Sequence, residues 1–372
     1  MSVQVSYKKQ GLFYLILLLC VFSVAETGSR FYEFFIQNCE LERAETLKEY
    51  DYFLKRHICY DQQIIEYTNQ PVLTIIPNQH FTTININNEG FRGDEINISK
   101  IDNDYRIIII GGSTVFGSGV SNDEQTIPYE LNKIFDKKYI NVEVINAGIS
   151  SITSFEELHH FKEKLIHLKP DLMIFYDGSN DVEYKKTSDP EILKTDANEL
   201  QIKDIQKYLR TPVVIYRHVL SPIIHPQTEN VMNGNNLSDT ANSNSYNFEI
   251  SNAITSLWYE HITEFCEISN NEQIKSVVII QPTLNQNKKP LSEYEKSIYE
   301  KSNHTKKTFN LLIQKSNSLT NCSKVYDFTN IFENISTGVY IDSVHVNNQG
   351  NKIIAEKIYE KILPLVIEDI KK

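Results

Sequence analysis

The chain has 372 residues, 41% of them hydrophobic and 23% charged, a balance that supports a sizeable folded core. Its net charge is −11 and no Lys/Arg stripe is present, which excludes a free nucleic-acid binder. No C-x-x-C spacing occurs, so neither a zinc site nor a redox pair is expected, and no cofactor is implied.

At the N-terminus Lys8 and Lys9 precede an apolar run of about 14 residues, Gly11 to Val24, short of the roughly 20 that span a bilayer core. Two readings stand. One is a cleaved signal peptide with Ser23-Val24-Ala25 as the small-x-small site. The other is an uncleaved signal anchor with the lysines held on the cytoplasmic side. Both place the rest of the chain on the extracytoplasmic face, anchored or secreted. A lipoprotein would need a small residue before Cys20, and Leu19 stands there. Outside the run, Cys39, Cys59, Cys266 and Cys322 permit two disulfides. Four cysteines allow three pairings, of which Cys39–Cys59 with Cys266–Cys322 is one. Asn-x-Ser/Thr sequons at Asn97, Asn236, Asn303, Asn321 and Asn334 fit export.

Three regions are expected: 1–28 as signal or anchor, 29–104 as an N-terminal extension, and 105–372 as the main domain. From Arg30 to about Leu54 the spacing is helical, with Phe31, Phe34, Phe35, Leu41 and Leu47 on one stripe. From Gln62 to Ile98 the pattern turns β-like and turn-rich. Arg106–Ile110 is a continuous β-branched run, suited to a parallel strand buried on both faces. A helix over Glu124–Phe135 follows, then a strand over Val142–Asn146, a helix over Phe155–His167, and a strand over Asp171–Tyr176. Residues 183 to about 255 break the rhythm as an insertion, helical at most over Ile202–Val219 and loop-like over the Asn/Ser/Thr-rich 226–250. Strands over Ser276–Ile280 and Lys324–Asp327 and an amphipathic helix over Asn347–Ile362 close the chain. Strands alternating with helices predict a three-layer α/β/α sandwich on a mainly parallel five-stranded sheet.

In such sheets ligands bind beyond the carboxyl ends of the strands. Gly111-Gly112-Ser113-Thr114, Asn146-Ala147-Gly148 and Asp177-Gly178-Ser179-Asn180-Asp181 stand there, and Asp342-Ser343-Val344-His345 precedes the last helix. A serine hydroxyl needs a base to become a nucleophile. His345 can serve Ser113, and Asp342, three residues earlier on a turn, can orient the imidazole. The Ser113 N–H, the Gly148 N–H and the Asn180 amide are the candidate oxyanion donors. Each block alone is bland: a tight turn, a turn glycine, a helix cap, a surface histidine. Their order, each at the end of a predicted strand or before the closing helix, carries the signal. Other motifs fail on single residues. No Lys follows Gly117 or Gly119 to make a phosphate loop, Asn122 stands where a dinucleotide fingerprint needs glycine, and Val115 spoils a Gly-x-Ser-x-Gly elbow. His159 and His160 read as packing or surface residues, Asp177 and Asp181 as supporting groups, and Arg92 as a brace for its own turn.

These blocks resemble the SGNH/GDSL hydrolase family, whose four letters map onto Ser113, Gly148, Asn180 and His345 over about residues 105–365. Gly350–Ala355 resembles the family's last block, and the Asn88–Gly93 lead-in resembles that of exported, N-terminally anchored members. The family often carries Asp before the serine, where this chain has Gly112. The resemblance implies a flavodoxin-like fold and metal-free, cofactor-free hydrolysis of acyl esters. With export, O-acetyl groups on glycans are the expected substrate and lipids the second. An O-acyltransferase using the same site, and a non-catalytic glycan-binding or surface protein on this fold, are the alternatives.

Overall fold

The computed structural model describes residues 6–68, 72–100, 105–183, 209–215, 220, 241–299 and 306–371. The chain divides into two compact units, one of residues 1–38 with 188–239, the other of residues 39–187 with 240–372.

The larger unit is built on a five-stranded sheet: β1 Tyr105–Gly111, β2 Val142–Gly148, β3 Leu172–Asp177, β4 Lys275–Ile280 and β5 Lys324–Asp327. The strand order is β2-β1-β3-β4-β5 and every pairing is parallel. Every residue of β1 and β3 is buried, which explains why they read as unbroken apolar runs. Side chains alternate between two cores. Ile107, Ile109 and Ile174 pack with Leu131 and Phe135 of the Ile127–Lys137 helix and with Ile358 of the closing helix. Ile108, Ile110 and Phe175 pack on the other side with Phe161, Trp258 and Phe265. Helix starts follow local chemistry. The Thr126 hydroxyl accepts the Tyr129 N–H, and the Asn347 side chain accepts the Gly350 N–H, so each relieves a donor left over at a helix N-terminus.

This strand order has one switch point, between β1 and β3, where successive connections leave in opposite directions. Open sheets of this order bind ligands in the crevice at that point. Gly111 pairs with Gly148 on one side and Tyr176 on the other, so the residues following β1, β2 and β3 emerge together.

Several boundaries differ from those predicted. The stretch after Arg30 is not one helix. It is a π turn at Tyr32–Ile36, two 3-10 turns at Glu40–Arg43 and Glu45–Leu47, and a helix at Tyr52–Ile64. Its apolar stripe is split between the two units. Phe31, Phe34 and Phe35 contact one another in the smaller one, and Leu41 and Leu47 pack near Ala44 and Ile341 in the larger. The Cys39–Cys59 disulfide ties the turns to the following helix, and Cys266–Cys322 is the second bridge.

The Asn/Ser-rich residues from Ala241 onward are also helical, opening a helix that runs to Asn271. Trp258, Ile262 and Phe265 are fully buried along its second half, and propagation from an anchored segment overrides the weak propensity of its start. The closing helix runs Asn348–Ile370, past Pro364, because burial of Val366 beyond the proline offsets the missing hydrogen bond. Of the predicted Ile202–Val219 helix only 209–215 is described, and within it Thr211–Ile215 is helical. The rest of that stretch, most of 226–250, Asn236 and Asn303 lie outside the described residues.

In the smaller unit, Tyr7–Phe31 forms a single helix, longer than the Gly11–Val24 run suggested. It is long and apolar enough to cross a membrane by length and composition, with a mean hydropathy of 1.9 over its best window.

Candidate active site

The short helix Ser113–Phe116 starts directly after β1, with Gly112 as the hinge. Arg92 holds its far end. The guanidinium donates to the carbonyls of Phe116 at 3.2 Å and Gly117 at 2.8 Å and to Thr83 at 2.9 Å, and pairs with Asp123 at 2.7 Å. The brace expected of Arg92 therefore bears on the turn that presents Ser113, as well as on its own loop.

His345 and Asp342 sit on a loop closed by the Tyr340–Val346 bridge and by the Ile341 N–H donated to the His345 carbonyl at 2.8 Å. Beneath it, the fully buried Glu295 carboxylate accepts the N–H groups of Val339 at 2.9 Å and Tyr340 at 3.2 Å and pairs with Lys289 at 2.6 Å. Burial would raise the Glu295 pKa, but the Lys289 ammonium and these backbone donors outweigh it and hold the group below the usual range. Sequence reasoning missed this pair, since neither residue belongs to a motif.

The geometry joins residues 229 to 232 positions apart. His345 Nε2 lies 2.7 Å from Ser113 Oγ, and Nδ1 lies 2.6 Å from Asp342 Oδ2. The other oxygen of Asp342 accepts the backbone N–H groups of Val344 at 2.9 Å and His345 at 2.7 Å. Burial alone would push the Asp342 carboxyl up. The adjacent imidazole and the two backbone donors prevail and keep it below the ordinary carboxylate value. The imidazole is thereby tied on both sides, with a permanent anion behind it and a hydroxyl in front.

Gly148 and Asn180 flank Ser113. A Cβ on Gly148 would lie 2.1 Å from the Phe116 nitrogen, so only glycine lets β2 approach the Ser113–Phe116 helix this closely. A Cβ on Gly112 would lie 2.2 Å from Asn180 Nδ2, so the Asn180 amide occupies the space that a side chain before the serine would need. Asn180 Nδ2 donates to the Ile152 carbonyl at 2.6 Å, and the Gly148 N–H donates to Asn146 Oδ1 at 3.0 Å.

Behind Asn180 lies a second cluster. Asp181 accepts the Ser154 N–H at 3.1 Å and hydroxyl at 2.5 Å. The same hydroxyl contacts His261 Nδ1 at 2.8 Å, and Trp258 Nε1 donates to Asp177 at 3.0 Å. Burial, then repulsion from Asp181, lifts Asp177 well above the carboxylate range. Both aspartates thus support the Asn180 turn. Of the two histidines expected to pack or face solvent, His159 does the second and bonds its own helix, and His160 is buried against Phe91. Among the described residues no group of three or more His, Cys, Asp or Glu could hold a metal ion.

Glu157 is fully buried, and among the described residues neither of its carboxyl oxygens has a hydrogen-bond partner. Burial, then Asp177 and Asp181, raises its pKa well above 4.5. The unfolded chain releases this proton above that value while the folded chain keeps it, so its contribution erodes stability as pH rises. His160, lowered by burial to about 3, acts in the opposite sense between that value and 6.5. Glu157→Gln is expected to raise Tm over the parent more at about pH 8 than at about pH 5. Thermal denaturation at both values checks this, and an equal gap would contradict it.

The description GDSL-like Lipase/Acylhydrolase matches residues 107–358, more than half of the chain. The chain belongs to the GDSL-like lipase/acylhydrolase family. It is a carboxylic-ester hydrolase by class, and its α/β domain is the family's flavodoxin-like fold. Among solved structures the GDSL-like chain is similar to an acetyl xylan esterase, AlAXEase, at 13% identity and a TM-score of 0.40, covering 69% of this chain and 99% of that one. It is also similar to TesA, at 14% identity and a TM-score of 0.41, covering 70% and 99%. A third is the psychrotrophic esterase EstA from Pseudoalteromonas sp., at 14% and 0.40, covering 71% and 99%. These values are too low to carry a substrate over to this lipase/acylhydrolase. A search of curated proteins finds no match.

Proposed function

We propose that this acylhydrolase cleaves O-acyl esters, O-acetyl groups on extracytoplasmic glycans first among them, by a Ser113–His345–Asp342 mechanism. The observation that carries the reading is the unbroken run of contacts from Asp342 Oδ2 through the imidazole to Ser113 Oγ at 2.6 and 2.7 Å. Ser113 Oγ attacks the acyl carbonyl as His345 Nε2 takes its proton. Asp342 stabilises the imidazolium, which then protonates the leaving alcohol. Water, deprotonated by the same nitrogen, releases the carboxylic acid and restores the serine.

The oxyanion is met by the Ser113 N–H, the Gly148 N–H and Asn180 Nδ2. Ser113 heads its helix, where an N–H has no intrahelical acceptor. An amide nitrogen carries two hydrogens, so Asn180 can keep Ile152 and still donate. The Gly148 N–H has one hydrogen and must trade Asn146 for the oxyanion. Asn180→Ala is therefore expected to lower kcat by about 10²–10³ with KM little changed. A fall in kcat/KM arising from KM alone would contradict it.

Export and anchoring rest on the Tyr7–Phe31 helix with Lys8 and Lys9 before its apolar run. The deciding experiment incubates the full chain with acetylated xylan, with and without an unacetylated oligosaccharide acceptor. Free acetate formed without acceptor supports the hydrolase. Product acetylated only on the acceptor would move the assignment to an O-acyltransferase, and no turnover by folded protein to a glycan-binding role.

A further inference from the structure

The N-terminal helix carries two carboxylates where its apolar run ends. Glu26, Ser29, Arg30 and Glu33 follow one another at helical spacing along one face. The opposite face stays apolar and outward, with Val24 73%, Phe31 55% and Phe35 38% exposed. The acidic face is covered by a segment from 177 residues later in the chain (Glu33 to Arg210). Arg210 grips Glu33 with two parallel bonds of 2.7 Å, and both side chains are buried. Glu26 accepts the N–H groups of Arg210 at 2.9 Å and Thr211 at 3.0 Å and the Thr211 hydroxyl at 3.1 Å, and Ser29 donates to the same hydroxyl at 3.2 Å. The short helix that follows leaves Ile215 45% exposed.

On a helix facing water this arrangement gains little, since exposed carboxylates are solvated without partners and a buried ion pair loses hydration. At the edge of a bilayer it lowers the cost of immersion, because an unpaired carboxylate carried below the hydrated headgroups is expensive. We infer that Arg210–Ile215 is part of the membrane anchor. The segment seats in the headgroup–acyl boundary of the bilayer, clamped by Arg210 to Glu33, with Val24, Phe31, Phe35 and Ile215 toward lipid. Exposed apolar side chains opposite a satisfied polar face are the pattern of an interfacial element. The inference rests on the reading of Tyr7–Phe31 as an anchor and extends it. The second segment masks the charges that follow the apolar part of the helix.

The test uses the full chain reconstituted in phosphatidylcholine vesicles whose acyl chains are brominated either near the headgroup or near the midplane. Ile215→Trp supplies the reporter and Trp258, fully buried in the sheet core, the background. Phe13→Trp reports on the anchor helix itself. Esterase activity of each variant verifies folding. The expected result is quenching of the Ile215→Trp signal by the shallow bromines above the parent's background, lost when Arg210→Ala is added. Phe13→Trp quenched while Ile215→Trp is not would overturn the inference and leave the anchor reading intact. An unquenched Phe13→Trp would overturn the anchor reading itself. Quenching of Ile215→Trp that survives Arg210→Ala would overturn the clamp.

Discussion

Ser113→Ala is expected to lower kcat for a short acyl ester by about 10⁴–10⁶ with KM nearly unchanged, and to abolish covalent labelling by a fluorophosphonate. The size follows from the role. Ser113 Oγ is the hydroxyl that His345 Nε2 contacts, so the variant loses the acyl-enzyme path. What remains is the oxyanion donors acting on water, which removal of one triad member leaves in place. The substitution removes one oxygen from a side chain at the start of a four-residue helix, so Tm should move little. Labelling that persists in Ser113→Ala would place the nucleophile elsewhere.

Asp342→Asn is expected to cost about 10⁴ in kcat, more than its near-identical shape suggests. The reason lies in the second oxygen. The Val344 and His345 N–H groups bind Oδ1 and would hold the asparagine carbonyl in that place. Its NH₂ would then face His345 Nδ1 and turn that nitrogen into an acceptor. The ring proton would move to Nε2, which could no longer accept from Ser113. The pH dependence has a definite sign. The Asp342 carboxyl is held below its ordinary value of 3.8, so its contribution to stability is complete above that value and is lost as pH falls through the folded-state one. Asp342→Asn should remove this acid-side loss while leaving the alkaline side unchanged, as pH-resolved denaturation would report. A variant retaining near-parental kcat would rule out the orienting role.

Much of this was legible in the residues. The β-branched run at Arg106–Ile110 predicted a strand buried on both faces, and β1 is that strand, paired on both sides inside the sheet. Lys324–Asp327 was legible to the residue. The four blocks around Ser113, Gly148, Asn180 and His345 could be placed at strand ends, because period and punctuation are local properties. The same locality explains the errors. A helical spacing after Arg30 could not foretell that its apolar residues serve two different units. The Asn/Ser composition after Ala241 could not reveal that Trp258 and Phe265 would anchor a helix through it. Nothing around Glu157, Lys289 or Glu295 marks them as buried ionisable groups, since burial depends on what the rest of the chain brings against them.

By itself, the sequence determined the chemistry available at Ser113: a hydroxyl on a glycine turn, a histidine that could serve it, and a carboxylate three residues before that histidine. Those are properties of residue type and spacing. The tertiary structure alone decided that Nε2 meets Oγ at 2.7 Å, that Asn180 fills the space Gly112 leaves open, and that Arg210 answers Glu33. Each joins residues far apart in the chain, and only packing, which depends on all of the chain at once, fixes such distances.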